Sequence, residues 1–226
     1  MRVRSPTLHN PSLAARCAAL QDWFCTLLPA LNGGTLKGNL HSVSGDASFR
    51  RYFRGFTTQA SWILVDAPPD RENCAPFVTV AGLLEAAGVA VPHVYAADPE
   101  QGFMCLGDCG DELLWAKLDS AKAQGATVAA SHLYELAFTQ LLKIQRCPAQ
   151  SLPPYDTVLL LRELRLFSEW FCGALMGLQL TDQDTAMLEQ MYAFLVQAAL
   201  AQPQVFVHRD YHSRNLMYRE GQAPGV

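Results

Sequence analysis

The sequence predicts an α+β chain, with strands in its first half and helices in its second. Three features carry that expectation. Runs of β-branched and aromatic residues separated by turn residues lie between Asn39 and Leu106; apolar residues switch to helical spacing after Gly110; and 50% of the 226 residues are hydrophobic, enough to bury a sizeable core. From Ser12, a plausible cap, Leu13, Cys17, Leu20, Phe24 and Leu27 recur at helical spacing, and this helix should stop between Pro29 and Gly33. Asn39–Val43, Arg50–Thr57 and Ala60–Asp66 read as antiparallel strands, with Gly45 to Ser48 and Thr58-Gln59 as turns and Pro68-Pro69 ending the third. A helix over Phe77–Ala87 closes at Gly88, Val89–Pro92 is extended, and Val94–Ala97 and Phe103–Leu106 form a further pair of strands.

Beyond Gly110 the expected helices cover Glu112–Leu118, Ser131–Gln145, Asp156–Leu175 and Thr181–Ala201. In the last of these Asp182 and Asp184 complement the dipole of the first turn, and Pro203 follows its end. Val205–Val207 and Leu216–Arg219 read as two short strands. Gly107–Gly110 and Pro148–Tyr155 are the candidate hinges. Residues 1–107 are thus expected to form a sheet-rich lobe and residues 108–226 a helical one.

Composition excludes several classes of partner. The formal charge is −4 with both signs dispersed, so neither nucleic acid nor an anionic membrane is an expected partner. Arg2 and Arg4 are followed by Pro6, His9, Asn10, Pro11 and Arg16, which leaves no apolar stretch for a signal peptide, and no segment reaches the length of a membrane span. The seven cysteines are odd in number and contain no C-x-x-C pair, which argues for reduced thiols in the cytoplasm. The oligomeric state is not encoded in any of these features.

Chemistry is concentrated in His208-Arg209-Asp210-Tyr211-His212-Ser213-Arg214-Asn215, which spells H-R-D-x-x-x-x-N. In enzymes that transfer the γ-phosphoryl group of ATP to a hydroxyl, the Asp of this pattern accepts the hydroxyl proton and the Asn reaches a Mg²⁺ held by the phosphates. A chance match in a chain of this length has a probability on the order of 10⁻³ or less. The blander alternatives are a turn capped by Asp210 beside a satisfied core His208, or a metal site built from the alternating His208, Asp210 and His212. A second constellation is Gly45-Asp46-Ala47-Ser48-Phe49-Arg50-Arg51-Tyr52-Phe53-Arg54, a polar turn entering a strand with three arginines. Backbone N–H groups and the Ser48 hydroxyl in such a turn can cover phosphate oxygens, with an arginine as counter-charge; alone, an ordinary hairpin would look similar.

These two segments, with Asp66-Ala67-Pro68-Pro69 and Phe103 to Gly110, resemble the aminoglycoside phosphotransferase and choline kinase superfamily. Within it they are most similar to the bacterial anomeric kinases of N-acetylmuramate and N-acetylglucosamine used in cell-wall recycling. The resemblance implies a bilobal protein-kinase-like fold, with ATP and Mg²⁺ as cosubstrate and cofactor and an amino sugar phosphorylated at its C1 hydroxyl. Residues 1–107 would then be the nucleotide-binding lobe and residues 108–226 a partial helical lobe carrying the catalytic loop. It further implies that Gly107 and Cys109 present backbone groups to adenine, that Ser48 covers the phosphates, that Asp210 is the base and that Asn215 is a magnesium ligand. The runner-up activities are aminoglycoside or choline phosphorylation, or a silent nucleotide- or partner-binding pseudokinase.

Two departures from the resembled pattern matter. The strand Trp62–Asp66 lacks the lysine that protein kinases carry there, so Arg50 or Arg51 is expected to supply the phosphate-binding cation, and Glu85 reads as a solvated helix residue without an ion-pair partner. In the family, an Asp that holds magnesium and further helices follow the strand after Asn215, whereas this sequence reaches Val226 at the expected turn. The chain is therefore expected to be C-terminally truncated, with weak or no turnover by itself.

Overall fold

A computed structural model describes residues 13–43, 49–222 and 224–226; Ser12 and the turn Gly45 to Ser48 lie outside the described residues. The strand Ser61–Asp66 organises the sheet, because its Trp62, Leu64 and Val65 alternate between two apolar layers. In chain order the strands are β1 (His41–Val43), β2 (Arg51–Phe56), β3 (Ser61–Asp66), β4 (Val94–Asp98) and β5 (Phe103–Gly107). They form one antiparallel sheet in the order β1-β2-β3-β5-β4. The two central strands are the most buried, as expected for strands covered on both faces.

Helix α1 (Leu13–Leu27) covers one face: its Leu20 and Phe24 pack with Leu28, Trp62, Leu64, Phe103 and Cys105. Gly55 on β2 permits this approach, since a Cβ there would lie 2.8 Å from the Phe24 ring. Helix α2 (Ala75–Ala86) covers the other face, where Val65, Cys74, Met104 and Leu106 pack with Ile63, Phe77 and Val78. Burying each such large side chain contributes about 1.5–3 kcal/mol, which makes the two layers the main source of sheet stability.

Helices α3 (Leu114–Ala123) and α4 (Thr127–Gln145) follow β5. Leu114, Leu118, Leu133 and Ala137 enclose Leu216, which anchors the H-R-D segment from its C-terminal side. The chain divides into two compact units: residues up to Ile144 with His208–Val226, and Gln145–Val207. The second unit holds α5 (Thr157–Leu166), a π-helical continuation over Phe167–Leu175, and α6 (Asp182–Leu200). Asp156 caps α5 by accepting from Leu159 N at 2.9 Å, and Thr181 with Asp184 forms the capping box of α6. Arg165 bridges α5 to Glu189 of α6 through Nε and Nη2 at 3.1 and 3.0 Å.

The expected α+β arrangement is found, but two short strands are not. Val205–Val207 forms no ladder: Val205 and Val207 are exposed and only Phe206 is buried. Leu216–Arg219 is reduced to single bridges from Met217 to Leu113 and to Gly225, too short a pairing to extend into a strand. Among the described residues, no helix is long and apolar enough to cross a membrane.

Candidate functional site

The H-R-D segment is fixed by hydrogen bonds to the start of α3. The first-turn donors of that helix have no intrahelical partner, and Leu114 N and Trp115 N donate instead to Leu216 O and Ser213 O at 2.8 and 2.9 Å. Tyr211 is tied to α4 through its hydroxyl, which donates to Ala137 O at 2.6 Å; burial pushes this phenol up to about 12. Arg214 lies over the Trp115 ring at 4.9 Å. Just before Asp210, Arg209 takes φ +77°, a left-handed conformation that costs a non-glycine residue about 1–2 kcal/mol. Such strain persists where the surrounding contacts over-determine the chain, and it turns the following residues sharply.

Asp210 and Asn215 are brought together by that turn. Asn215 Nδ2 donates to Asp210 Oδ2 at 2.5 Å and to Asp210 O at 3.1 Å. The other carboxylate oxygen, Oδ1, lies 3.1 Å from His212 Nε2, while His212 Nδ1 accepts from Arg214 N at 3.2 Å. Nδ1 is thus an acceptor, and the imidazole edge carrying Nε2 faces the Asp210 carboxylate. The carboxylate is thus held by one donor, Asn215 Nδ2, with His212 Nε2 alongside, while its side chain remains 69% exposed, open to an incoming hydroxyl.

His208 sits behind this pair, edge-on to Tyr211 at 5.4 Å between ring centroids. It is not a satisfied core histidine, since its buried Nδ1 has no hydrogen-bond partner among the described residues. Burial, chiefly, holds its pKa below the ordinary value, with His212 adding to that effect and Asp210 opposing it. Among the described residues, no group of three or more His, Cys, Asp or Glu side chains is arranged to hold a metal ion. The Asn215 carboxamide spends its nitrogen on Asp210 and so has its oxygen for a cation. One such oxygen beside a carboxylate fits Mg²⁺, which takes most of its octahedron from phosphate oxygens and water.

The remaining expected site residues are distributed over the sheet and the segment that leaves it; Ser48 lies outside the described residues. Arg51 is committed to the α1 side of the sheet, where it and Arg16 of α1 both bind the fully buried Asp66 of β3. Arg50 is on the other side, with Nε 3.4 Å from Glu72 Oε2 and its guanidinium 5.7 Å from the Phe77 ring of α2. Gly107 ends β5; its N–H donates to His93 O at 2.8 Å, and its carbonyl accepts from Cys109 Sγ at 4.0 Å with its second lone pair available to a ligand. Gly107, Asp108 and Cys109 border a cavity of about 280 Å³ with Trp62, Tyr95 and Arg219. Burial, chiefly, together with Asp108, raises the Cys109 thiol pKa against the opposing charge of Arg219.

Three pairings escaped the sequence reading. Glu85 is not without a partner: its Oε1 lies 2.6 Å from His93 Nδ1. The Asp66 cluster joins residues 50 apart, and Arg54 reaches Asp108 and Asp111. Only the presence of an aspartate at the end of an apolar strand could have signalled the first cluster, since a buried carboxylate must be paired.

Comparison with known proteins places these features. The sequence profile described as "Phosphotransferase enzyme family" matches residues 39–226. The chain is 45% identical over 190 residues to an N-acetylmuramate/N-acetylglucosamine kinase of Pseudomonas putida, covering 84% of this chain and 54% of that protein. It is 41% identical over 218 residues to the protein of that name from Pseudomonas aeruginosa, covering 94% and 62%. It therefore spans little more than half the length of these relatives. Among solved structures, a spectinomycin phosphotransferase in complex with ADP and spectinomycin superposes with a TM-score of 0.55 at 12% identity, over 91% of this chain and 67% of the other. A choline/ethanolamine kinase family protein from Mesorhizobium loti gives 0.53 at 18% identity, over 87% and 60%. At such identities these structures share the fold alone. The profile match spans most of the sequence and includes the paired Asp210 and Asn215: the chain belongs to the phosphotransferase enzyme family.

Proposed function

We propose that this chain carries the nucleotide lobe and the catalytic base of an ATP-dependent kinase acting on the anomeric C1 hydroxyl of N-acetylmuramate or N-acetylglucosamine. The observation that carries the proposal is the Asp210 carboxylate, exposed to solvent, held by Asn215 Nδ2 at 2.5 Å and flanked by His212 Nε2 at 3.1 Å. Phosphoryl transfer depends mainly on positioning and electrostatics, and a fixed carboxylate can align the sugar hydroxyl and take its proton as the new P–O bond forms. Mg²⁺, held by the nucleotide phosphates with Asn215 as a ligand, would neutralise charge on the transferring group. The amino-sugar acceptor is supported by the names of the two Pseudomonas relatives.

Adenine is proposed to lie against Gly107 and Cys109, which border the cavity beside Asp108, and Ser48 to cover the phosphates. Arg50 is proposed as the phosphate-binding cation that replaces the missing third-strand lysine. It approaches α2 and pairs with Glu72, whereas Arg51 is committed to Asp66. In this arrangement residues 1–107 form the nucleotide-binding lobe and residues 108–226 contribute the catalytic loop, in a cytoplasmic enzyme of peptidoglycan recycling. The test is an ADP-release assay with Mg²⁺-ATP and a panel of N-acetylmuramate, N-acetylglucosamine, choline and an aminoglycoside. At most weak release is expected, and it should depend on the two amino sugars. Release with choline or the aminoglycoside alone would overturn the acceptor assignment, and ATP binding without release on any acceptor would favour a silent nucleotide-binding protein.

A further inference from the structure

Arg54, the third arginine of the run that begins at Arg50, has no task in the chemistry above. It stands on β2 opposite Ile63 of β3, and Ile63 packs in the layer covered by α2. Its side chain is only 12% exposed, and both Nη groups donate to one short segment after β5. Nε lies 2.8 Å from Asp108 Oδ2, and Nη2 donates to Asp108 Oδ1 at 3.0 Å and to Gly110 O at 3.2 Å. Nη1 donates to Asp111 Oδ1 at 2.7 Å. Asp108 Oδ1 also accepts from Gly110 N at 2.9 Å. One guanidinium on a rigid strand therefore holds both carboxylates and a carbonyl of Asp108–Asp111.

We propose that Arg54 is a positioning residue for the nucleotide: from β2 it pre-sets the conformation of Gly107–Asp111, the segment whose backbone is to face adenine. The inference rests on the proposed nucleotide role of Gly107 and Cys109. A segment with glycines at both 107 and 110 has wide backbone freedom, and freezing it only when ATP arrives would subtract from affinity. Holding it beforehand removes that cost, which is how pre-organisation raises affinity without adding a contact to the ligand. A planar five-donor fork suits this task, and lysine cannot reproduce it.

The experiment is a titration of the purified chain with a fluorescent ATP analogue and Mg²⁺, alongside the thermal midpoint of each variant. Arg54→Gln and Arg54→Lys are both expected to weaken nucleotide binding on the order of tenfold. Asp111→Asn removes one arm whose carboxylate is 78% exposed, and it should weaken binding several-fold with the thermal midpoint unchanged. A clamp that merely stabilised the fold would lower the midpoint and leave the affinity of the folded protein at the wild-type value; folded Arg54→Gln with wild-type affinity overturns the inference. Should Arg54→Gln not fold, Asp111→Asn decides, and unchanged affinity there overturns it equally. Failure of the wild-type chain to bind the analogue would instead overturn the nucleotide role of Gly107 and Cys109 itself.

Discussion

Replacing Asp66 by Asn should cost the sheet-bearing unit about 3–5 kcal/mol. The carboxylate is fully buried and serves two cations: Arg16 donates to Oδ1 through Nε at 2.9 Å and Nη2 at 2.5 Å, and Arg51 donates to Oδ2. Each hydrogen bond to a charged group is worth roughly 1.5–3 kcal/mol. Asn keeps the shape but removes the charge and turns an amide donor toward a guanidinium. Arg16 and Arg51 are 14% and 25% exposed, so water recovers part of what they lose, which brings the net to the stated range. Urea unfolding followed by tryptophan fluorescence is the assay, because Trp62 lies in the α1 layer and Trp23 packs against it. The exposed pair Asp70–Arg71 at 3.8 Å provides the control, with Asp70→Asn changing stability by no more than about 0.5 kcal/mol. A loss below about 1 kcal/mol for Asp66→Asn would refute the assignment of Asp66 as the charged tie between α1, β2 and β3.

Gly102 has φ +72° and a Cβ there would lie 1.9 Å from Ala67 O, so Gly102→Ala should destabilise by about 2–5 kcal/mol, read from the same urea transition. His208 has a depressed folded pKa, so the unfolded chain binds its proton more tightly and the folded form is favoured fully only above the ordinary value of 6.5. Stability should therefore fall as pH drops from 6.5 towards the lower folded value, and urea midpoints from pH 8 to pH 5 should flatten in His208→Gln. Arg50→Gln should weaken ATP binding by about tenfold or more while AMP binding stays near wild type, whereas Arg51→Gln should act on the urea midpoint instead.

The elements were legible in the sequence wherever periodicity is local. The spacing of Leu13, Cys17, Leu20, Phe24 and Leu27 marked α1, which ends at Leu27 just before the expected stop between Pro29 and Gly33, and the run Trp62 to Asp66 marked the central strand. The H-R-D pattern named Asp210 and Asn215, and the structure holds their side chains 2.5 Å apart. What stayed hidden is non-local. Adjacent strand residues point to opposite faces, so at most one of Arg50 and Arg51 can meet the phosphates, but only packing tells which face meets α1. The Asp66 cluster and the Arg54 fork join residues 15 to 57 positions apart, for which a single sequence holds no periodic signal. Val205–Val207 misled because three apolar residues satisfy a strand pattern whether or not a partner strand exists.

The central claim is that Asp210 takes the proton in an ATP-dependent transfer to a sugar hydroxyl. The most direct measurement is the rate at which ³²P passes from γ-labelled ATP to N-acetylglucosamine, for the wild type and Asp210→Asn, with ATP affinity measured on both. The account predicts a sugar 1-phosphate, a rate reduced by about 10²- to 10⁴-fold in Asp210→Asn, and ATP affinity that differs little between the two. Transfer that is measurable in the wild type and equal in Asp210→Asn would contradict it.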